Sequence, residues 1–401
     1  MDQLSIARQP IVDAHRTVVA YELFNRSQST TSHSLSSDVS FALHALAESG
    51  APFSISHCDL FINTVHQALG GSHWDFIDPA KTVIEVPMVP GHVPEHIAEL
   101  AIVLEGLRAR GFRMSFRHSV VAPVYKPWQE LADFVKIELS PATEPNLPAL
   151  IAAIKARTGA IVVAEKIETA AQFEAFKAQG VDRFQGFWFS MPEVLQPRVL
   201  TPGELTALEL FNLVRKEAPL DAVELVLKKD AALGLSLLRI INSAAMGLKQ
   251  TVTSLRQVVQ LIGYQKLARW SAMLMTSASQ STTSLLGASA VVRGRMMELL
   301  AQHNMSGDEA GSAFLVGLLS QLDRMLGTPM ATVLERLALD PAVSDALLHR
   351  SGKFGDMLNL VVACESDDEQ AFAQAFARLG YSVHQVNMAH LEALAWADSV
   401  N

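Results

Sequence analysis

The feature of this sequence that most constrains its fold is a series of short β-branched or aromatic runs, separated by helical patterns, over the first 190 residues. Eight runs are predicted strands: residues 4–12, 17–24, 59–63, 82–86, 113–116, 134–139, 160–164 and 184–189. Strands that alternate with helices predict a parallel sheet, and eight is the number that closes a barrel. Only four residues join the first two runs, so we expect an antiparallel hairpin there and an α/β barrel that is slightly irregular.

The pattern changes after residue 190, where prolines punctuate a connector. The tetrapeptide Thr201-Pro202-Gly203-Glu204 then has the residue types that begin a helix. Beyond it we find amphipathic segments, such as residues 255–262, and no convincing strand. The sequence therefore predicts two domains, a barrel over residues 1–200 and an all-α helical bundle over residues 201–401.

Charge and hydropathy narrow the class of partner. The net charge of −9 and the absence of a Lys/Arg cluster argue against nucleic acid as a partner. No stretch reaches the roughly 18 apolar residues that span a bilayer, so we expect a cytoplasmic protein without a membrane segment. Proteins or a small ligand are the expected partners.

Polar side chains end most of the predicted strands. In an α/β barrel the carboxyl ends of the strands meet at one mouth, where catalytic groups lie. The residues concerned are Glu22, Asn63, Glu85, Lys136, Glu138, Glu165, Gln185 and the pair Arg117-His118. Carboxylate and amide oxygens suggest magnesium or manganese, and paired cations of this kind hydrolyse phosphodiesters.

Several of these residues lie in motifs that resemble the EAL domain in order and spacing. The motifs are Tyr21-Glu22-Leu23-Phe24-Asn25-Arg26, Phe61-Ile62-Asn63, Val135-Lys136-Ile137-Glu138, Ala164-Glu165-Lys166-Ile167-Glu168-Thr169 and Gln185-Gly186. The resemblance implies a modified TIM-type barrel that binds cyclic di-GMP and linearises it with two divalent ions. It places metal at Glu22, Asn63 and Glu85, attacking water near Lys136, ligand phosphate near Arg26, and further site positions at Glu165 and Gln185.

The sequence departs from the family pattern at the mouth. Arg117-His118 stands where the family has two adjacent aspartates, and Glu165-Lys166 where it has Glu-Gly. We therefore expect a catalytically inactive barrel with no cofactor and an empty magnesium or manganese site. The expected vestigial site comprises Glu22, Asn63, Glu85, Lys136, Glu165 and Gln185, and the expected ligand-binding residues are Arg26, Arg117 and Lys166.

Other interpretations stay open at this point. The cations Arg117, Lys136 and Lys166 could pair with Glu22, Glu85 and Glu165, or hold a phosphate-bearing ligand without cleaving it. An enzyme alternative keeps cyclic di-GMP hydrolysis, with one ion at Glu22, Asn63 and Glu85 and with Lys136 orienting water. A further alternative is a purely structural scaffold.

The helical half resembles the HDOD domain, a non-hydrolytic relative of HD-type phosphohydrolases. The resemblance rests on residues 237–246, 254–263 and 317–323, with Ser320-Gln321 in place of the His-Asp pair and Arg293 in place of an earlier histidine. It implies contact with a protein partner rather than catalysis. The whole chain is therefore expected to be a bacterial signal-transduction protein that acts by binding cyclic di-GMP, a protein, or both, with a homodimer as a further expectation.

Overall fold

The computed structural model describes residues 6–25, 58–138, 146–186, 202–230, 254–277, 281–366 and 368–400, together with residues 234, 237 and 252. The chain divides into two compact units. The first unit comprises Met1–Met191 and Val362–Asn401, and the second comprises Pro192–Val361.

The first unit contains a closed barrel of eight strands that are hydrogen-bonded in chain order. The strands are β1 (Ile6–Asp13), β2 (Val18–Asn25), β3 (Asp59–Asn63), β4 (Thr82–Glu85), β5 (Arg113–Arg117), β6 (Phe134–Glu138), β7 (Ile161–Glu165) and β8 (Arg183–Gln185). β1 is antiparallel to both β2 and β8, whereas the remaining neighbours are parallel. The predicted barrel with an antiparallel first strand is therefore confirmed. The eighth strand was predicted to run to residue 189, and residues 187–189 lie outside the described part of the chain.

An apolar layer fills the barrel below its mouth. The layer consists of Ile11, Ala20, Phe61, Val83, Phe134 and Val163. Side chains along a strand alternate between its two faces, so residues two positions further along also point inward. On β2, β3, β4, β6 and β7 those residues are Glu22, Asn63, Glu85, Lys136 and Glu165. The strand period therefore places five polar side chains directly above the apolar layer.

Helices alternate with the later barrel strands. They are α1 (Pro94–Ala109), α2 (Lys126–Gln129), α3 (Leu147–Thr158) and α4 (Ala170–Ala178). α4 begins with the predicted capping box, in which Thr169 accepts from the backbone N–H of Gln172 while the Gln172 side chain accepts from that of Thr169. The buried Trp128 indole donates to the Ile97 carbonyl at 2.9 Å and so joins α2 to α1.

The described residues of the second unit form helices joined by turns and short connections, without a strand. Its helices are α5 (Pro202–Arg215), α6 (Leu220–Lys229), α7 (Leu255–Ile262), α8 (Tyr264–Ser277), α9 (Ser281–Gln302), α10 (Gly307–Leu319), α11 (Leu322–Leu326), α12 (Met330–Leu334), α13 (Pro341–His349) and α14 (Gly352–Ala363). The predicted all-helical character is confirmed. Within the described ranges, no helix is long and apolar enough to cross a bilayer.

The end of the chain corrects the predicted domain limits. The sequence predicted one helical domain over 201–401, but residues from Val362 onward group with the barrel. They form α15 (Glu369–Phe376) and α16 (Val383–Val400). An amphipathic helix has the same period whether it packs on helices or on a sheet, so its sequence pattern did not reveal its packing partner.

Charged side chains close the barrel on the side opposite the mouth. Asp59, only 8% exposed, accepts from Arg113 Nη2 at 2.7 Å and from Arg183 Nη1 at 3.0 Å. Both guanidinium groups lie over the Phe134 ring, 5.7 and 4.9 Å from its centroid. One buried carboxylate therefore neutralises two arginines that stack on the apolar layer.

We predict that Asp59→Ala lowers the free energy of unfolding by about 3 kcal/mol, because it leaves two partly buried guanidinium groups without their carboxylate. The matched control is Asp75→Ala, which removes the exposed ion pair with Arg110 and should cost less than about 0.5 kcal/mol. Urea unfolding of both variants measures the difference. Equal losses in the two variants would contradict this account of the barrel base.

Candidate active site at the barrel mouth

The ammonium group of Lys136 lies at the centre of the mouth. Lys136 is only 2% exposed. Its Nζ atom lies 2.7 Å from Glu22 Oε2 and 3.3 Å from Glu165 Oε1, and it also contacts Glu85 Oε1. Burial alone would lower the pKa of Lys136, but the negative charges of Glu22, Glu85 and Glu165 raise it above its ordinary value. Lys136 is therefore a permanent cation that three strands hold in place.

Glu22 is the most heavily hydrogen-bonded carboxylate of this cluster. It accepts from Asn63 Nδ2 at 2.7 Å, from Gln185 Nε2 at 2.5 Å and from Lys136. Burial would raise the pKa of Glu22, but the Lys136 charge and these hydrogen bonds outweigh it and hold the pKa below its usual value. Glu22 is therefore ionised at neutral pH.

Glu85 has the opposite protonation behaviour although it also contacts Lys136. Burial, the neighbouring charge of Glu22 and that of Glu165 raise its pKa to about 8, and Lys136 offsets only part of this effect. The two carboxyl groups differ because Glu22 receives amide donors in addition to the ammonium. Glu85 therefore holds a proton at neutral pH and releases it under mildly alkaline conditions.

The composition of the mouth suits a hard divalent cation. Three carboxylates surround one ammonium, so two negative charges are uncompensated when all three are ionised. The buried Gln185 Oε1 has no hydrogen-bond partner among the described residues. Carboxylate and amide oxygens are ligands for magnesium or manganese. In the described part of the chain no three acidic, His or Cys side chains are arranged to hold a metal by themselves, and Lys136 lies among the carboxylates.

The rim carries the other predicted site residues. Arg117 is exposed at the end of β5, and the half-buried His118 follows it. Burial and the Arg117 charge lower the pKa of His118, so the imidazole is neutral at pH 7. Lys166 has a left-handed backbone, with φ 55°, and its Nζ lies 2.7 Å from Glu138 Oε1.

These positions settle part of the salt-bridge interpretation. Lys136 pairs with all three predicted carboxylates, whereas Lys166 pairs with Glu138 instead. The alternative in which Lys166 pairs with the central carboxylates does not hold, because its side chain is 67% exposed at the rim and contacts Glu138. Arg26, the remaining predicted ligand-binding residue, lies outside the described residues.

One residue of the mouth was not singled out from the sequence. Gln9 Oε1 accepts from Gln185 Nε2 at 2.7 Å, and the same amide nitrogen donates to Glu22. Gln9 lies two positions before the inward-pointing Ile11, so the strand period was a signal that could have found it. Because β1 runs antiparallel, its mouth residue precedes the apolar layer rather than following it.

The helical unit has a basic side chain at its HD-like position. Arg293, 7% exposed, donates to Ser320 Oγ at 3.0 Å, and Ser320 donates to the Gly317 carbonyl at 2.7 Å. The neighbouring Gln321 side chain accepts from Arg324 at 3.1 Å. The Arg293–Ser320 hydrogen bond joins α9 to the end of α10. The side chains named at this position are neutral or basic, and none of them is a carboxylate.

Two known proteins align with almost the whole chain. The cyclic di-GMP phosphodiesterase CdgJ of Vibrio cholerae is 27% identical over 409 residues, which cover 99% of this chain and 93% of CdgJ. The uncharacterized protein YuxH of Bacillus subtilis is 24% identical over 421 residues, which cover 98% of both chains. Among solved structures, the BlrP1 protein of Klebsiella pneumoniae, in a complex with calcium and cyclic di-GMP, matches 47% of this chain and 55% of its own, with 21% identity and a TM-score of 0.38.

The alignment with CdgJ corrects one expectation. We expected a chain that is not an enzyme, chiefly from Arg117-His118, but CdgJ, which aligns with 99% of this chain, is named a phosphodiesterase. The expectation relied on the basic residues that replace family positions, at Arg117-His118 and Lys166, and gave too little weight to the carboxylates and amides that the structure brings together there.

The helical unit matches a family model. Residues 205–355 match the HDOD domain, and they lie within the second compact unit. The eight-stranded barrel with the polar cluster at its mouth precedes this region, and both relatives extend across barrel and helices. The chain therefore joins an eight-stranded barrel to an HDOD domain, in agreement with the EAL-HDOD resemblance of its sequence.

Proposed function

We propose that this protein is a signalling protein whose barrel hydrolyses cyclic di-GMP to the linear dinucleotide in a metal-dependent reaction. The observation that carries the proposal is the cluster of Glu22, Glu85 and Glu165 around Lys136, with Asn63 and Gln185 beside it, at the mouth of the barrel. The name of CdgJ supports the same activity. The mouth combines oxygen donors with a fixed positive charge, which are the two kinds of group that phosphodiester hydrolysis needs.

Glu22, Asn63 and Glu85 are the residues that would hold a divalent ion. They are adjacent on β2, β3 and β4, and Asn63 already donates to Glu22. Magnesium or manganese bound there would supply charge stabilisation for the phosphate and would acidify water. Glu85 must release its proton for this binding, since a protonated carboxyl is a poor ligand.

Lys136 and Glu165 would position the attacking water. Lys136 is always charged in this environment, so it donates hydrogen bonds to water or to a phosphate oxygen and cannot accept a proton. Glu165 has the most exposed side chain of the three carboxylates around Lys136, at 21% against 12% and 13%. It is therefore the carboxylate best placed to accept a proton from an entering water molecule.

The rim would bring the anionic substrate to the mouth. Arg117 and Lys166 are exposed cations next to the carboxylate cluster. Guanidinium and ammonium groups bind phosphate oxygens, so both residues remain candidates for substrate binding. Lys166 would have to exchange its contact with Glu138 for a contact with phosphate.

Several further expectations stay predictions. They are a protein partner for the HDOD domain, a homodimer and a cytoplasmic location. The HDOD match supports the first of these only through the family resemblance.

We predict that the purified protein converts cyclic di-GMP to the linear dinucleotide with magnesium or manganese, and that Glu22→Gln lowers kcat by about 100-fold or more. The variant keeps the side-chain volume but loses the charge that a divalent ion needs. Chromatography of the products measures the rate. Asp75→Asn, at an exposed ion pair of the barrel, is the control and should keep the wild-type rate. Absence of linear product from the wild-type protein would overturn the proposal.

We also predict that manganese binds more tightly as pH rises from 6.5 to 8.5. Below the Glu85 pKa of about 8 each bound ion must displace a proton, so affinity rises by up to about tenfold per pH unit and levels off above that pKa. Calorimetry at three pH values measures the slope. Glu85→Gln has no proton to release, so its weaker binding should be nearly independent of pH. A flat profile in the wild-type protein would refute this role for Glu85.

A further inference from the structure

The first two strands carry site residues on one face and buried residues on the other. Gln9 and Glu22 are ladder partners whose side chains point into the mouth. Their neighbours Arg8 and Tyr21 point to the outer face, where they are 2% and 8% exposed. An outer layer must therefore cover this side of the barrel.

The C-terminal segment supplies contacts on this side. The Arg8 backbone N–H donates to the Cys364 carbonyl at 3.2 Å, and Arg8 Nη2 lies 2.9 Å from Glu365 Oε1. The Ile6 N–H donates to Asn387 Oδ1 at 2.9 Å. These contacts involve two residues of β1, so the C-terminal segment is attached to that strand at Ile6 and at Arg8.

The same segment also reaches the strand beyond β2. The Cys58 N–H, next to the start of β3, donates to Asp398 Oδ1 at 3.1 Å. Burial raises the pKa of Tyr21 on β2, and the charges of Cys58, Glu365 and Asp398 around it add to the effect while Arg8 opposes it. α16 contributes buried apolar residues, among which Val386 is 0% and Leu391 and Leu394 are 1% exposed.

The Arg8–Glu365 pair is the charged part of this contact. The side chains are 3% and 12% exposed, so the guanidinium has almost no water to replace its partner. Removing the carboxylate would leave a buried cation uncompensated, whereas removing both charges together would not. The pair therefore specifies where β1 lies against the segment.

We propose that residues 362–400 complete the barrel of this protein, and that Glu365 is a positioning residue which holds β1 and β2 where Gln9 and Glu22 meet Gln185. A strand transmits a displacement of Arg8 directly to Gln9, because the two are consecutive and point to opposite faces. The barrel domain is then discontinuous in sequence, with the HDOD domain inserted between its parts.

This arrangement gives the HDOD domain a covalent route to the site. α14 contains the boundary between the two units at Val361 and Val362, and Glu365 follows the end of that helix at Ala363. A change in the helical unit that displaces the end of α14 therefore acts on the residue that anchors β1. The activity part of this inference rests on the proposed hydrolysis of cyclic di-GMP, whereas the structural part does not.

Hydrogen exchange on the full-length protein tests the structural part. Glu365→Ala should speed exchange of the hydrogen-bonded amides of β1 and β2 by at least about tenfold while β5, β6 and β7 stay protected. Glu365→Gln, which keeps an acceptor for Arg8, should give a smaller change and serves if the alanine variant does not fold. The double variant Arg8→Met/Glu365→Leu should regain protection, and Asp75→Ala is the control at an exposed ion pair.

Turnover of the same variants tests the positioning role. Glu365→Ala should lower kcat for cyclic di-GMP by about tenfold with a smaller change in KM, and the double variant should recover most of the loss. Unchanged exchange in β1 and β2, or equally faster exchange in all eight strands, would overturn the proposal. Local exchange with wild-type kcat would also overturn it. If the wild-type protein has no turnover, hydrolysis fails and the exchange result alone decides whether Glu365 holds the strands.

Discussion

The structure of the mouth depends on one buried ammonium group. The two-residue period of the strands brings the carboxylates of β2, β4 and β7 to the same level above an apolar layer, where they would repel one another. Lys136 of β6 relieves this repulsion, but only partly, because Glu85 keeps a pKa of about 8. The result is a site that is stable without a further cation and retains the negative charge to attract one.

Much of the barrel could be predicted from the sequence because its strands and helix starts depend on residues that are neighbours in the chain. Strand runs and the capping box at Thr169 are set by neighbouring residues, and both agree with the structure. The polar strand ends predicted which residues share the mouth, but not which acid pairs with which cation. Lys166 illustrates the difference, since only the left-handed backbone and the position of Glu138 determine its partner.

What the sequence did not predict depends on contacts between distant residues. Gln9 reaches the site because β1 is antiparallel and pairs with β8, and the C-terminal helices cover the barrel although their pattern resembles that of the helical unit. The expectation of an inactive chain had a related weakness. It rested on the basic residues Arg117, His118 and Lys166, whereas metal binding depends on the total charge and donors of the whole mouth.

We propose that Glu22, Asn63 and Glu85 form a site for a divalent cation in the presence of Lys136. Anomalous diffraction from crystals soaked in manganese at pH 8.5 tests it most directly, because it locates the ion without relying on turnover. We expect one strong anomalous peak within bonding distance of Glu22 and Glu85. A mouth without anomalous density, or density only at surface carboxylates, would contradict the account.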